Sequence, residues 1–284
     1  MTDEVEVHTK IFRGNNDIKL VGDAYGDPSA DPVLFLHGGG QTRHAWGGAA
    51  RTLAQAGWYV VTLDQRGHGE SDWAKEKEHY AVDNFTADIR AVAATFDKLP
   101  AFVGASMGGG SALTAQGESA EQICSALVLV DVTPRVETKG VQRIMDFMTQ
   151  KPEGFETLEE VADAIAAYTP NRKRTTNLAG LEKNLRQLPN GRYRWHWDPD
   201  MLGIRFAERM NFPDRLADAA RNIKVPTLLV RGQQSDVVSM EGANEFLELV
   251  PHAKFVDVKD AGHMVAGDQN DIFTNAVLEF LGNI

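Results

Sequence analysis

A serine lies at the centre of a glycine-rich turn in the first half of the chain. Ser106 has Gly104 and Ala105 before it and Met107 and Gly108 after it. A short apolar run precedes the turn, and a segment with helical periodicity follows it. A serine on a sharp turn from a strand to a helix needs small neighbours, because the backbone there is strained and closely approached. This setting predicts that Ser106 is a nucleophile, although the G-x-S-x-G pattern alone also occurs by chance in ordinary turns.

A second glycine-rich element follows an earlier apolar run. His37 begins it, and three glycines come directly after. Ligand sites of open α/β sheets lie at the carboxyl ends of the strands, which is where this element would lie. Its backbone N–H groups could stabilise an oxyanion, so we expect an oxyanion hole formed by Gly39 and Met107, with Gly38 as a further donor. The alternative is that these glycines only permit a tight turn.

The sequence D-Q-R-G-H-G-E-S at residues 64–71 lies between these two elements. Together, the three motifs resemble the α/β-hydrolase superfamily, in which a D-x-R-G-x-G-x-S loop commonly follows the fourth strand and precedes the nucleophile. The resemblance covers about residues 5–131 and resumes at about residue 225. It implies a catalytic triad in the chain order serine, acid, histidine. We interpret residues 66–70 of this loop as structural support; the alternative is that His68 or Ser71 borders the pocket.

The triad order points to a histidine near the end of the chain. His263 follows the last strand candidate, whereas His252 precedes that strand and would lie at the opposite edge of the sheet. Two aspartates follow strand candidates at the correct edge, namely Asp131 and Asp236. The family usually places its acid at the later position, and we therefore expect Asp236 to be the triad acid. Asp131 is then expected to be a structural carboxylate.

Such a triad would perform acyl transfer. His263 would take the proton of Ser106 as attack begins, and Asp236 would orient and stabilise the imidazolium. A serine in place of an aspartate excludes the alkyl-enzyme route that haloalkane dehalogenases and epoxide hydrolases of this fold use. The sequence has neither a metal-ligand motif nor a phosphate-binding loop, so we expect no metal and no cofactor.

Apolar runs and helical segments alternate along both ends of the chain. Continuous apolar strands separated by helices indicate a parallel sheet that is covered on both faces. Residues 5–27 predict a hairpin at the sheet edge. Between residues 136 and 211 the alternation stops, and we expect helices at residues 141–150, 157–168 and 175–188.

These patterns predict an α/β-hydrolase fold with a mostly parallel central sheet flanked by helices. A mainly helical cap is expected after the sixth strand. We expect residues 1–134 and 213–284 to form the core and residues 135–212 to form the cap.

The cap segment is rich in large apolar side chains, which could line a pocket or form the core of the cap itself. An extended stretch at residues 193–197 would place three aromatic rings on one side and Arg194 and His196 on the other. This apolar bias favours an ester or lactone substrate with a hydrophobic portion. The residues expected to contact the substrate are His37, Phe147, Trp195, Trp197 and Met264.

The composition of the chain argues against several classes of binding partner. Its net charge of −11 argues against nucleic acid or an anionic membrane as the main partner. Cys124 is the only cysteine, so an intrachain disulfide is impossible. The first residues lack the features of a secretory signal, and no apolar run approaches the roughly 20 residues that span a bilayer. We expect a soluble cytoplasmic protein whose partner is a small-molecule substrate.

Three functions are compatible with these features. The first is hydrolysis of a carboxylic ester or lactone. The second is cleavage of a carbon–carbon bond in ring-fission diketones, because the element that begins at His37 also resembles that of such hydrolases. The third is ligand sensing by a signalling protein that retains a triad, since a fold does not determine a function.

Overall fold

The apolar runs of the sequence form the strands of one large sheet. A computed structural model describes residues 5–169, 173–202, 213–268 and 270–284. The strands are β1 (Val7–Arg13), β2 (Lys19–Tyr25), β3 (Pro32–Leu36), β4 (Tyr59–Asp64), β5 (Ala101–Ala105), β6 (Leu127–Val130), β7 (Leu185–Gln187), β8 (Tyr193–Trp195), β9 (Thr227–Gly232) and β10 (Lys254–Val258). Eight of them form a sheet in the order β1-β2-β4-β3-β5-β6-β9-β10, and β7 pairs with β8 in a separate hairpin.

The direction of the strands follows the sequence pattern. All neighbours from β4 to β10 pair in parallel, and every residue of β3, β4, β6 and β9 is buried. Parallel strands have this pattern because helices cover both faces of their sheet. The first two strands form an antiparallel hairpin, and β2 also pairs antiparallel with β4. The predicted parallel sheet and its edge hairpin are therefore confirmed.

Helices cover the two faces of the sheet. Alternate residues of β3 enter different apolar clusters, with Leu34 and Leu36 on one face and Val33 and Phe35 on the other. Among the described residues, no helix has the length and apolar character that crossing a membrane requires. The α-helices are α1 (Gly47–Gln55), α2 (Val82–Ala93), α3 (Ser106–Gly117), α4 (Thr138–Thr149), α5 (Leu158–Tyr168), α6 (Pro213–Arg221), α7 (Met240–Leu249), α8 (Val265–Asp268) and α9 (Asn270–Leu281).

The segment between β6 and β9 contains α4, α5 and the hairpin of β7 and β8. We call the described residues from the start of α4 to residue 202 the cap. The helix predicted at residues 175–188 is wrong, because a 3-10 helix (Ala179–Asn184) leads directly into β7. The side chain of Asn177 accepts a hydrogen bond from the N–H of Gly180 at 3.1 Å, a capping contact that starts the short helix only after Asn177. The sequence contained a signal for the hairpin, since Asn190 and Gly191 form a dipeptide typical of such turns.

Candidate active site

Ser106 lies at the junction of β5 and α3, as the sequence predicts. Its φ of 46° is in the left-handed region, where a residue other than glycine is strained. A Cβ on Gly104 would lie 2.6 Å from the Cα of Gly109, and one on Gly108 would lie 2.6 Å from the carbonyl oxygen of Leu36. The small residues therefore let the start of the helix pack against the ends of β3 and β5. Strain of this kind persists only where the surrounding packing enforces it, and it clusters at functional sites.

His263 follows β10 and forms a hydrogen bond with a carboxylate at the same edge of the sheet. Its Nδ1 lies 2.6 Å from Oδ2 of Asp131, the residue directly after β6. The Asp131 side chain is fully buried, and that of His263 is only 9% exposed. Donation from Nδ1 to the carboxylate leaves Nε2 as the basic nitrogen of the ring. Ser106 and His263 line the same cavity.

The structure corrects the expected acid. Asp236 does not lie on the ring of His263, because its carboxylate pairs with Arg143 of α4 at 2.7 and 2.9 Å. The Asp236 side chain is 40% exposed. It lies several residues beyond Gly232, the last residue of β9, where the chain has already turned towards α4. Asp131 has no such intervening loop, so its carboxylate stays at the edge of the sheet.

Two further donors hold the Asp131 carboxylate. Gly232 donates its backbone N–H to Oδ1 at 3.1 Å, and Ser235 donates its hydroxyl to Oδ2 at 2.5 Å. The Ser235 oxygen in turn accepts from the backbone N–H groups of Val237 and Val238, each at 3.1 Å. A buried carboxylate needs such partners, because its desolvation is costly. The loop that was expected to supply the acid therefore supplies Ser235, a residue that the sequence reasoning missed.

The glycine element does not offer all of its N–H groups to a ligand. Gly38 donates to Oε1 of Gln41 at 3.0 Å, and Gly40 donates to Nε2 of His68 at 3.1 Å. Gly38 therefore does not serve as the additional oxyanion donor that we expected. Within the described part of the chain, no acceptor is paired with the N–H of Gly39. Met107 is in the first turn of α3, where N–H groups lack intrahelical acceptors. Gly39 and Met107 both line the cavity.

His37 was expected to contact the substrate, and the structure corrects this expectation. Its side chain is fully buried and lies behind the cavity wall. Nδ1 donates to the carbonyl oxygen of Gly38 at 2.8 Å, and Nε2 accepts from the N–H of Gln65 at 3.0 Å. Burial lowers the pKa of His37 to about 4, so the ring is neutral near pH 7. The carbonyl of Gly38 and the N–H of Gly39 belong to one planar peptide unit, so His37 orients the free donor.

The D-Q-R-G-H-G-E-S loop supports the site from behind. Asp64 accepts hydrogen bonds from the backbone N–H groups of Arg43 at 2.6 Å and Glu70 at 3.0 Å. Arg66 binds both carboxylate oxygens of Asp88, at 2.6 and 2.7 Å. Ser71 donates its hydroxyl to the Asp64 carbonyl at 2.6 Å. These buried contacts agree with our interpretation of the loop as structural.

A cavity of about 550 Å³ opens above Ser106 and His263. Its wall includes four of the five residues expected to contact the substrate, namely Phe147, Trp195, Trp197 and Met264. The two tryptophan rings stack with centroids 5.0 Å apart, and Phe147 lies 5.2 Å from the ring of Trp195. Two of the three aromatic rings of residues 193–197, those of Trp195 and Trp197, thus face the cavity, whereas Tyr193 lies outside its lining.

The charged side chains that line the cavity have one sign. Among the described residues of the lining, the charged ones are Lys173, Arg174, Lys183 and Arg215, and none is acidic. Arg174 pairs with Asp163, and Arg215 pairs with two carboxylates. The basic lining contrasts with the net charge of −11 of the whole chain.

Comparison with known proteins gives matches over most of the chain. A family model described as alpha/beta hydrolase fold matches residues 31–269. An esterase of Mycobacterium tuberculosis is 30% identical over 248 residues, which cover 85% of this chain and 79% of that protein. A 3-hydroxybutyrate-oligomer hydrolase of Cupriavidus necator is 30% identical over 256 residues, covering 84% and 85%. The crystal structure of an α/β hydrolase from Novosphingobium aromaticivorans superposes with a TM-score of 0.81 and 25% identity, covering 99% and 100%.

Proposed function

Because the chain belongs to the α/β-hydrolase family, we propose that it is a serine hydrolase that cleaves carboxylic esters or lactones through an acyl-enzyme on Ser106. The observation that carries this proposal is the 2.6 Å hydrogen bond between His263 and the buried Asp131, at the edge of the cavity that Ser106 lines. A strained serine, a histidine with one oriented nitrogen and a buried carboxylate together form the set that acyl transfer needs.

In the first step, Oγ of Ser106 attacks the carbonyl carbon while Nε2 of His263 takes the hydroxyl proton. The carbonyl oxygen becomes an oxyanion, which the N–H groups of Gly39 and Met107 stabilise. Asp131 stabilises the imidazolium that forms. The bond from the carbonyl carbon to the alkoxy oxygen then breaks, and His263 gives its proton to the departing alcohol.

In the second step, water replaces the alcohol. His263 takes a proton from water, and the resulting hydroxide attacks the carbonyl carbon of the acyl-enzyme. The same two N–H groups stabilise the second oxyanion. The bond to Ser106 breaks, His263 returns the proton to Oγ, and a carboxylic acid is released.

The cavity favours a substrate with an apolar acyl portion. Large apolar side chains of the cap and core form most of its wall, and its volume is within the range of small-molecule sites. The absence of carboxylates from its described lining disfavours cationic substrates. We therefore expect higher kcat/KM for neutral or anionic esters, such as p-nitrophenyl butyrate, than for butyrylthiocholine, which carries a quaternary ammonium.

The proposal is tested by turnover of p-nitrophenyl butyrate with the purified full-length chain. We expect Ser106→Ala to lower kcat by at least about 10⁴-fold, as removal of a nucleophile does in serine hydrolases. Ser111→Ala is the matched control, because Ser111 is a buried serine of the same helix and lies outside the cavity lining. Full activity of Ser106→Ala would reject the proposal. Turnover of ring-fission diketones without ester turnover would instead favour carbon–carbon bond cleavage.

A further inference from the structure

Three buried histidine rings lie in a row behind the glycine element. The centroids of His37 and His68 are 4.8 Å apart, and those of His68 and His196 are 5.8 Å apart. Each side chain is at most 1% exposed. Burial lowers the pKa of His68 to about 3 and that of His196 well below its usual value, so both rings are neutral near pH 7. The chemistry proposed above uses neither ring, although both belong to buried polar contacts.

Two of these rings hold Gly40 from opposite sides. The N–H of Gly40 donates to Nε2 of His68 at 3.1 Å, and its carbonyl oxygen accepts from Nε2 of His196 at 3.3 Å. Gly40 has a φ of +76°, a conformation that glycine adopts readily. Both polar groups of this residue are therefore satisfied by imidazoles, one from the core loop and one from the cap.

The hydrogen bonds define which nitrogen of each ring carries the proton. Nε2 of His68 accepts from Gly40, so its proton is on Nδ1, which donates to the carbonyl oxygen of Arg66 at 3.0 Å. Nδ1 of His196 accepts from the N–H of Gly69 at 2.8 Å, so its proton is on Nε2. The two neutral rings thus have opposite tautomers, and each makes one donor and one acceptor contact.

We propose that His68 and His196 are positioning residues that fix the direction of the Gly39 N–H by holding Gly40, so that the cap helps to form the oxyanion hole. The inference rests on the proposed function. The preceding peptide unit is already held, because the Gly38 carbonyl accepts from His37 at 2.8 Å and from the N–H of Gln41 at 3.1 Å. With Gly40 also held, Gly39 lies between two restrained neighbours and its N–H remains available.

His196, which binds Gly40, is also next to residues that form the wall of the cavity. His196 lies between Trp195 and Trp197, whose rings form part of the cavity. A Cβ on Gly40 would lie 3.3 Å from the ring of Trp197, so the glycine also packs against the wall. An oxyanion hole of this design is complete only when the hairpin of the cap is seated on the core.

Two amide variants of His196 separate its two hydrogen bonds. In His196→Gln, the side-chain amide can still donate from Nε2 to the Gly40 carbonyl. In His196→Asn, the shorter side chain can only replace the acceptor for the N–H of Gly69. We expect His196→Asn to lower kcat for p-nitrophenyl butyrate about 10–30-fold with KM within about threefold, and His196→Gln to stay within about fivefold of wild type. His68 gives the parallel test, since Gln in His68→Gln can accept from Gly40 and Asn in His68→Asn cannot.

Rates are expressed per active site, counted by covalent labelling with a fluorophosphonate, so that a loss of folded protein does not enter kcat. Arg192→Met is the control for a change in the cap hairpin, because Arg192 binds Glu156 at 2.9 Å and the Gly154 carbonyl at 2.7 Å, both within the cap. It should leave kcat unchanged. Equal kcat values for the Gln and Asn variants would overturn the inference while leaving the proposed function intact. Absence of labelling and turnover in the wild type would reject the proposed function, and the inference with it.

Discussion

The loops after β6 and β9 each place an aspartate near the same edge of the sheet, and the two carboxylates have opposite environments. Asp131 is fully buried and accepts from His263, Ser235 and the N–H of Gly232. Asp236 is 40% exposed and forms an ion pair with Arg143, which is 43% exposed. Burial with several donors therefore distinguishes the carboxylate that binds His263 from the one that does not.

The largest expected effect comes from removing the charge of the buried carboxylate. We expect Asp131→Asn to lower kcat for p-nitrophenyl butyrate about 10⁴-fold, because an amide cannot stabilise the imidazolium and favours the wrong tautomer of His263. Steady-state kinetics measure this loss, with the folded state checked by circular dichroism. Asp236→Asn is the matched control and should keep kcat within about twofold. The reverse ranking of these two variants would show that the acid has been misassigned.

Low pH should lower the free energy of unfolding, because the buried histidine rings behind the site are neutral in the folded chain. The pKa of His37 is lowered to about 4 and that of His68 to about 3 by burial, against about 6.5 in an unfolded chain. As the pH falls, the unfolded chain binds protons before the folded chain does. The free energy of unfolding is therefore unaffected by these rings above about pH 6.5, and it decreases as the pH falls from there towards their folded pKa values. At pH 5.0 we expect a loss of about 2 kcal/mol per ring, measured as the free energy of unfolding in urea.

His68→Gln supplies the control for this pH dependence. Glutamine can accept from Gly40 but does not titrate, so the fall in stability between pH 7.5 and 5.0 should be smaller in this variant. His8→Gln, at a side chain that is 64% exposed, should leave the fall unchanged. An equal pH dependence in His68→Gln and the wild type would contradict the buried neutral ring.

A smaller effect tests how the β9 loop contributes. Ser235→Ala removes the hydroxyl that lies 2.5 Å from Asp131. Hydrogen bonds to charged groups contribute about 1.5–3 kcal/mol, so we expect kcat to fall about 10- to 150-fold, with KM unchanged. Ser235→Thr keeps the hydroxyl and should restore most of the activity. Wild-type kcat in Ser235→Ala would show that Asp131 is positioned without this contact.

The smallest expected effect concerns the exposed carboxylate. Asp236→Asn breaks a solvent-exposed ion pair with Arg143, and such pairs contribute between about 0 and 1 kcal/mol. We expect the free energy of unfolding to fall by at most about 0.5 kcal/mol, and the difference should vanish at high salt. A loss of several kcal/mol would mean that the environment of Asp236 resembles that of Asp131 more closely than the structure indicates.

Most of the core could be predicted because its strands are continuous apolar runs. The runs around Leu34 and Val128 are buried on both faces, and a pattern that requires burial on both sides fits few other structures. The cap was harder to predict. Its third expected helix fails because pairing between β7 and β8 outweighs a weak helical periodicity.

The candidate site, like the fold, could be predicted only in part. Strand ends correctly brought Ser106, His263 and the glycine element to one edge of the sheet. Sequence position could not choose between Asp131 and Asp236, because the direction of a side chain depends on the loop around it. The proximity of Asp131 to the end of β6 was the available signal. The burial of His37 was equally hidden, since its partners come from the backbone of distant loops.

The most direct test of the account is the rate at which a fluorophosphonate labels Ser106, followed by peptide mass spectrometry in the wild type, Ser106→Ala, Asp131→Asn and Asp236→Asn. We predict an adduct on Ser106 in the wild type and none in Ser106→Ala. The first-order rate should be strongly reduced in Asp131→Asn and unchanged in Asp236→Asn. An unlabelled Ser106 in the folded wild-type protein, or fast labelling that persists without Asp131, would contradict the assignment of Ser106, His263 and Asp131 as one catalytic unit.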